Sequence, residues 1–475
     1  MHDQPFKGED NLTAWLDRHH VDVIRTHATN LEGVGIGKYC NRGKFLKTLP
    51  DGHGIADMAL AMDMSGMPHL TIWHDFRHKT LGDIAMKPDL DTLVPDGIDP
   101  NLGHCICDFV QVDGTAINLC PRTNLKRLVN EVSEMGYDIK ATCELEFYLF
   151  KDSFADVRRK KYKDLNPVGA SDLQTIYLIR NAYNAKTFMN EVTKRLGWLG
   201  IDWEGWNDEN GRGQVEINLT PCGPVKAADQ IVQTKQVIYE VAVDFEMSVT
   251  FMAQPLPGYS NGMHIHHSLT DSSSTNHSSA DKGQPAFYDP EKPGNHSDLL
   301  RHWMGGIIET MPAAVSYLCP SVNSYRRLKD FAASPGTATW GEENKSTALR
   351  LISRTAGLTR IEHRLGSGDL NPYLGLAVIL AGGIAGVKNK IEPPEEFSHV
   401  AWGLPDDVER LPRTISMAAD ALENETLLHE VLGTDEVEYW IQTRKLEWFS
   451  FHTEGGDPDS RKPSQWELER YFEII

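Results

Sequence analysis

The sequence predicts an α+β protein in two parts: a small β-rich region, then a larger region in which helices flank a strand-rich sheet. Three observations predict it. Short strand-like runs separated by Gly and Pro fill the first ~115 residues. A helical stretch opening at Pro121 is followed at once by ATCELEFYLF (141–150), whose apolar residues recur with period two. From about residue 412 the chain reads as mostly helical with mixed charge.

Taken in order, Leu12, Trp15 and Leu16 give a short amphipathic helix, and VDVIRTHAT (21–29) a strand. Gly33, Gly35 and Gly37 precede Lys38, but a phosphate-binding loop would need Gly where Glu32 stands, so this stretch is expected to be a loop between strands. In PRTNLKRLVNEVSEMGYDI, Leu125, Leu128, Val129 and Val132 share one helical face, and Gly136 fits a C-cap. Residues 271–296, rich in Ser, Gly and Pro, read as a solvated loop. LGLAVILAGGIAGV (374–387) is too short to span a bilayer and reads as a buried helix.

The chain has 475 residues and a net charge of −20, which argues against nucleic acid or an anionic membrane as partner. Seven scattered cysteines with no CxxC pair fit a reducing compartment better than a disulfide framework or a zinc ribbon. The polar N-terminus lacks the apolar core of a signal peptide, so a soluble cytoplasmic protein is expected.

ATCELEFYLF raises a specific problem. Cys143, Leu145, Phe147 and Leu149 form one face; Thr142, Glu144, Glu146 and Tyr148 form the other. Three more strands repeat the pattern. GQVEINL (213–219) sets Gln214, Glu216 and Asn218 against Val215, Ile217 and Leu219. MHIHHSL (263–269) sets His264, His266 and Ser268 against Met263, Ile265 and Leu269, and TRIEHRL (359–365) sets Arg360, Glu362 and Arg364 against Ile361 and Leu365. A solvated sheet face also alternates, but it would mix Thr, Ser, Lys, Gln and Glu. Clustered carboxylates ionise only at a cost unless cations neutralise them. A face of Glu, His and Arg therefore reads as a cation-filled site. Oxygen ligands with one or two imidazoles suit Mg²⁺ or Mn²⁺, and arginines beside them suit phosphate or a substrate carboxylate. The combination points to phosphoryl transfer from a nucleotide without a P-loop.

With these residues in view, the sequence resembles the glutamine synthetases over nearly its whole length. The matching stretches are Pro121-Arg122, Glu144-Leu145-Glu146, Glu209 to Glu216, Gly262 to His266, Asn323 to Leu328, Asn344-Lys345 to Arg350, Arg360 to Arg364, and Asn371 to Leu374. The resemblance implies a β-grasp domain over 1–118 and a catalytic domain over 119–475 whose curved antiparallel sheet is flanked by helices. It further implies a homo-oligomer, a double ring (dodecamer) with active sites between subunits, two or three Mg²⁺ or Mn²⁺ per site, and ATP. The family phosphorylates the γ-carboxylate of L-glutamate, and an amine then displaces the phosphate.

By position, Glu146, Glu209 and Glu216 match the ligands of one metal, and Glu144, His264 and Glu362 those of the second. Arg327 and Arg364 match residues holding glutamate and the transferring phosphoryl group, with Glu146 and Ser260 also at the glutamate side. Lys345 and Arg350 match phosphate-binding positions, Lys345 replacing a more usual arginine, and His266 and Ser268 match nucleotide-side residues. Members that use ammonia carry a glutamate on a flap; Lys329 to Pro335 contains none, and Asp330 sits too early to replace it. The glutamate loop is altered to Tyr259-Ser260-Asn261-Gly262. The aspartate that deprotonates ammonium has its nearest counterpart in Asp63, with Asp83 at a second acidic position. Tyr177 is expected to line the amine pocket, and Phe331 and Tyr259 would make it apolar. The leading expectation is an ATP-dependent ligase joining glutamate to a primary amine larger than ammonia; an ordinary glutamine synthetase and a catalytically silent relative are the alternatives.

Overall fold

The computed structural model describes residues 5–8, 11–77, 81–169, 176–272, 283–328, 334–405, 408–457, 460 and 462–474. Two sheets organise them. The first contains β1 (Val23–Thr29), β2 (Gly35–Asn41), β3 (His53–Ala56), β4 (Asp83–Pro88), β5 (Val94–Pro95) and β6 (Leu102–Val110), in the order β2-β1-β6-β4-β3 with β5 on β6. The β1–β6 pair is parallel and its neighbours are antiparallel. Gly33 lies in the turn between β1 and β2, as expected, but Gly35 and Gly37 belong to β2. A side chain at Gly37 would place its Cβ 2.1 Å from Thr26 O, so only glycine lets the two strands pair there.

The second sheet holds β7 (Tyr137–Phe150), β8 (Trp203–Asp208), β9 (Gln214–Leu219), β10 (Ser248–Thr250), β11 (Met263–Asp271), β12 (Trp340–Glu342), β13 (Leu349–Ile352) and β14 (Arg360–His363). Its order is β12-β13-β14-β11-β7-β9-β8, with β10 also on β7. The expectation of a wholly antiparallel sheet needs one correction, because the edge pair β12–β13 is parallel. Helices Pro121–Glu134 and Pro224–Asp244 pack on β7, and Leu145, Phe147 and Leu149 are fully buried beneath them. Burial of each such side chain contributes about 1.5–3 kcal/mol. The apolar helix Pro372–Asn389 lies inside this layer, buried along nearly its whole length, as a core helix and not a surface-exposed span.

The sheets are locked together by buried polar contacts. Arg122 donates to both Asp229 oxygens (2.8 and 2.9 Å) and also pairs with Asp108 and Asp89. Asn371, which caps helix Pro372–Asn389, donates to Asn30 O and Leu31 O at 2.9 and 3.1 Å. These bonds hold the first sheet against the second, and helices Ile415–Glu423, Thr426–Leu432, Thr434–Thr453 and Gln465–Tyr471 complete the chain.

Candidate active site

Strand register brings the ionisable side chains into rows. On β7, Glu144 lies opposite His264 of β11 and Asn218 of β9, and Glu146 lies opposite Glu216. On β14, Glu362 lies between His266 and Arg350. Residues two apart share a face, so these groups crowd one surface of the sheet while Cys143, Leu145 and Phe147 enter the core behind them.

Two ligand clusters result. One oxygen or nitrogen each from Glu144, His264 and Glu362 lie within 4.8 Å of one another, as do atoms of Glu146, Glu216 and His264. His264 thus stands between the clusters. Glu209, expected in the second, lies outside that tight group. Its carboxylate accepts from Asn207 Nδ2 at 3.2 Å and from the Asn210 N–H at 3.3 Å.

The two halves differ electrostatically. Burial would raise the Glu144 carboxyl, but His264 and His266, at 3.1 and 3.0 Å, hold it far below the usual range. Burial likewise opposes ionisation of Glu362, yet Arg364 and the two histidines lower it. Arg350 donates to Glu362 at 2.9 Å, and Arg364 forms a close ion pair with the same carboxylate. Glu209 and Glu216, in the other half, are not offset in this way. Burial and Glu146 push Glu209 up to about 8, and burial with Glu144, Glu146 and Glu209 pushes Glu216 up to about 9. Buried carboxylates that repel each other, with donor atoms this close, fit divalent cations bound by oxygen and one imidazole.

Unpaired donors surround the clusters. Arg350 Nε, Arg364 Nε and Ser260 Oγ are buried without a partner among the described residues. Such groups suit an anionic substrate group. Arg327 is buried, which lowers its pKa against the pull of Glu146, and its Nη1 donates to Ser334 Oγ (3.0 Å) and Leu365 O (2.9 Å). Its Nη2 approaches Gly262, where a Cβ would lie 2.5 Å away and also 3.1 Å from His264 Nε2 and 3.3 Å from Glu146 Oε1. Gly262 is therefore the close-approach point that lets arginine, histidine and glutamate converge.

Other expected residues lie at various distances from this centre. His266 joins it through Glu144, and Arg360 Nε reaches His266 Nδ1 at 3.4 Å. Ser268 follows on the same face of β11. Tyr177 is exposed, with a left-handed backbone (φ 62°), and its N–H donates to Asp208 O at 3.4 Å, one residue before Glu209. Lys345 is exposed between β12 and β13. Asp83 is exposed at the start of β4.

Asp63 requires correction as a free base. Its Oδ1 accepts from Ser65 N, Ser65 Oγ and Met67 N, and its Oδ2 accepts from Arg470 Nη2 at 2.6 Å. Both oxygens are thus engaged within the fold. Asp330 and Phe331 lie outside the described residues. Sequence reading assigned no role to Gln214, whose Nε2 donates to Glu146 Oε2 at 3.0 Å; its place on the ionisable face of β9 was the available signal.

Residues 118–471 match the glutamine synthetase catalytic domain. The chain belongs to the glutamine synthetase family. It is 30% identical over 466 residues to a glutamate–isopropylamine ligase of Pseudomonas sp., covering 97% of each chain. It is 28% identical to a γ-glutamylethanolamide synthetase of Streptomyces coelicolor, covering 82% of this chain and 79% of that one. The ligand-free structure of GmaS shares the fold, with a TM-score of 0.80, 23% identity and coverage of 96% and 98%. As a member of this family with glutamate–amine ligase relatives, the protein is an ATP-dependent ligase.

Proposed function

We propose that the protein joins the γ-carboxylate of L-glutamate to a primary amine larger than ammonia, through γ-glutamyl phosphate, releasing ADP and phosphate. The observation that carries the ligation chemistry is the divided carboxylate face: one half offset by histidine and arginine, the other holding Glu209 and Glu216 against burial and the repulsion of their neighbours. Glu144, His264 and Glu362 would hold one Mg²⁺ or Mn²⁺, and Glu146 and Glu216, with Glu209 alongside, a second. Such ions, when bound, neutralise charge on phosphoryl oxygens. Arg327, Arg350 and Arg364 orient the anionic groups, and their fixed positions lower the barrier without reorganisation at the moment of transfer.

The amine preference rests on separate grounds. The stretch Lys329 to Pro335 carries no glutamate to favour ammonium, and two relatives are named for isopropylamine and ethanolamine chemistry. Tyr177, bonded through its backbone to Asp208 next to Glu209, offers an aromatic wall for an alkyl group. The same reading takes residues 1–118 as a β-grasp domain, 119–475 as the catalytic domain, and the assembly as a cytoplasmic double ring with sites between subunits.

Phosphate release from ATP and glutamate tests it, with ammonia compared against isopropylamine, ethanolamine, a polyamine and an aromatic amine in Mn²⁺. Turnover of at least one larger amine above that of ammonia is expected. Turnover with ammonia alone would return the protein to ordinary glutamine synthesis, and no turnover with any amine would mark a silent relative.

A further inference from the structure

A cavity of about 400 Å³ lies between the β1–β2 hairpin, helix Pro224–Asp244 and the C-terminal residues Glu473 and Ile474. It is on the core side of the second sheet, away from the ionisable face. Apolar groups supply much of its wall: Val232, Val249, Phe251 and Ile474. Lys235 also lines it.

The charges around it are unequal in their compensation. Arg25 is paired with Glu240, Glu32 with Arg444, and Glu473 with Arg158. Lys38, at the exposed edge, donates to Gly54 O at 2.6 Å, and neither it nor Lys235 forms an ion pair among the described residues. The Lys235 ammonium donates to Gly368 O at 2.7 Å and sits 5.1 Å from the centre of the Phe251 ring. An ammonium has three N–H bonds, so one carbonyl leaves two donors without an acceptor among the described residues. Burial draws its pKa down to about 8, although Asp369 opposes the shift. A partly buried cation with donors to spare, beside apolar walls, is matched by a carboxylate on an apolar body.

We propose that this cavity binds a small amphiphilic monocarboxylate, with the carboxylate on Lys235 and the apolar body against Phe251, Val232 and Val249. The site would communicate with the metal face by a short chain of bonds. Gly368, whose carbonyl accepts the hydrogen bond from Lys235 Nζ, donates its own N–H to Asn261 O, and Asn261 Oδ1 accepts from the Gln214 amide that also holds Glu146.

Calorimetric titration of the full-length protein with 3-phenylpropionate tests the proposal, with 3-phenylpropan-1-ol as the uncharged control. The acid is expected to bind with a Kd below about 1 mM, and the alcohol at least tenfold more weakly. Lys235→Met should weaken the acid about 100-fold. Val232→Phe, which fills the cavity and leaves the ammonium in place, should abolish binding by itself and decides the matter should Lys235→Met fail to fold. Absence of binding, or equal binding by the wild type and either variant, would overturn the proposal. The measurement needs neither metal nor turnover, so its result stands apart from that of the ligase assay.

Discussion

Gln214 holds Glu146: its Nε2 lies 3.0 Å from Glu146 Oε2, and Gly262 N donates to the same oxygen at 2.7 Å. One carboxylate oxygen is thereby fixed in a group whose ligand atoms lie within 4.8 Å of those of Glu216 and His264. Groups that orient a ligand typically matter 10–100-fold for metal affinity. Gln214→Leu is expected to weaken Mn²⁺ binding by about that factor while the fold persists. Calorimetry with Mn²⁺ checks this, and an unchanged affinity would mean that Gly262 alone sets the carboxylate.

Gly262→Ala probes the convergence itself. The new Cβ would meet Arg327 Nη2 at 2.5 Å, so the guanidinium must retreat from the position that Glu146 and His264 share. Displacement of about 1 Å costs on the order of 100-fold in rate. Phosphate release should fall by about that factor, with the melting temperature little changed, because a guanidinium can move more easily than backbone. A variant of wild-type activity would show that Arg327 is not held by this approach.

Repulsion among Glu146, Glu209 and Glu216 gives a prediction of opposite signs. Divalent cations should raise the melting temperature, since a ligand at 100 times its Kd stabilises by about 2.7 kcal/mol, and chelation should reverse the rise. Glu216, pushed up to about 9, must take up a proton when the metal-free protein folds near neutral pH, and Glu216→Gln removes that cost. The substitution should make the metal-free protein more stable than wild type and shrink the cation-induced rise. Differential scanning fluorimetry with and without Mn²⁺ reads both effects; a variant less stable than wild type without metal would contradict the electrostatic account.

These expectations follow from a face that alternation made legible. On β7, β9, β11 and β14 the period of two assigned Glu144, Glu146, Glu216, His264 and Glu362 to one side, and the structure keeps them there. Alternation carries no information on which strand lies beside which, however, nor on register. That is why His264, and not Glu209, completes the tight group with Glu146 and Glu216. Gly37 misled for a related reason: glycines signal loops, but here the need is for close approach of Thr26 across a strand pair. The partner of Asp63 lies 407 residues away in sequence, and no local pattern points to it.

Asp63 and Arg470 give the last prediction. Burial would raise the Asp63 carboxyl, but Arg470, Ser65 and the Met67 N–H outweigh it, so its folded pKa lies below the ordinary 3.8. A carboxylate lowered in this way adds stability above pH 3.8, and that stability is lost as pH falls through the folded value. Asp63→Asn should therefore cost about 1–3 kcal/mol near neutral pH, and its deficit against wild type should narrow in acid. Arg470→Gln removes the other partner and should destabilise too, more strongly because Glu447 also loses its donor. Melting curves from pH 7 down to about pH 3 follow both variants. An amine-activating base would behave differently: Asp63→Asn would keep its melting temperature at neutral pH and lose turnover, while Arg470→Gln kept both. That outcome would restore the catalytic reading of Asp63; parallel loss of stability in the two variants would assign it to the clasp between the first sheet and the C-terminal helix.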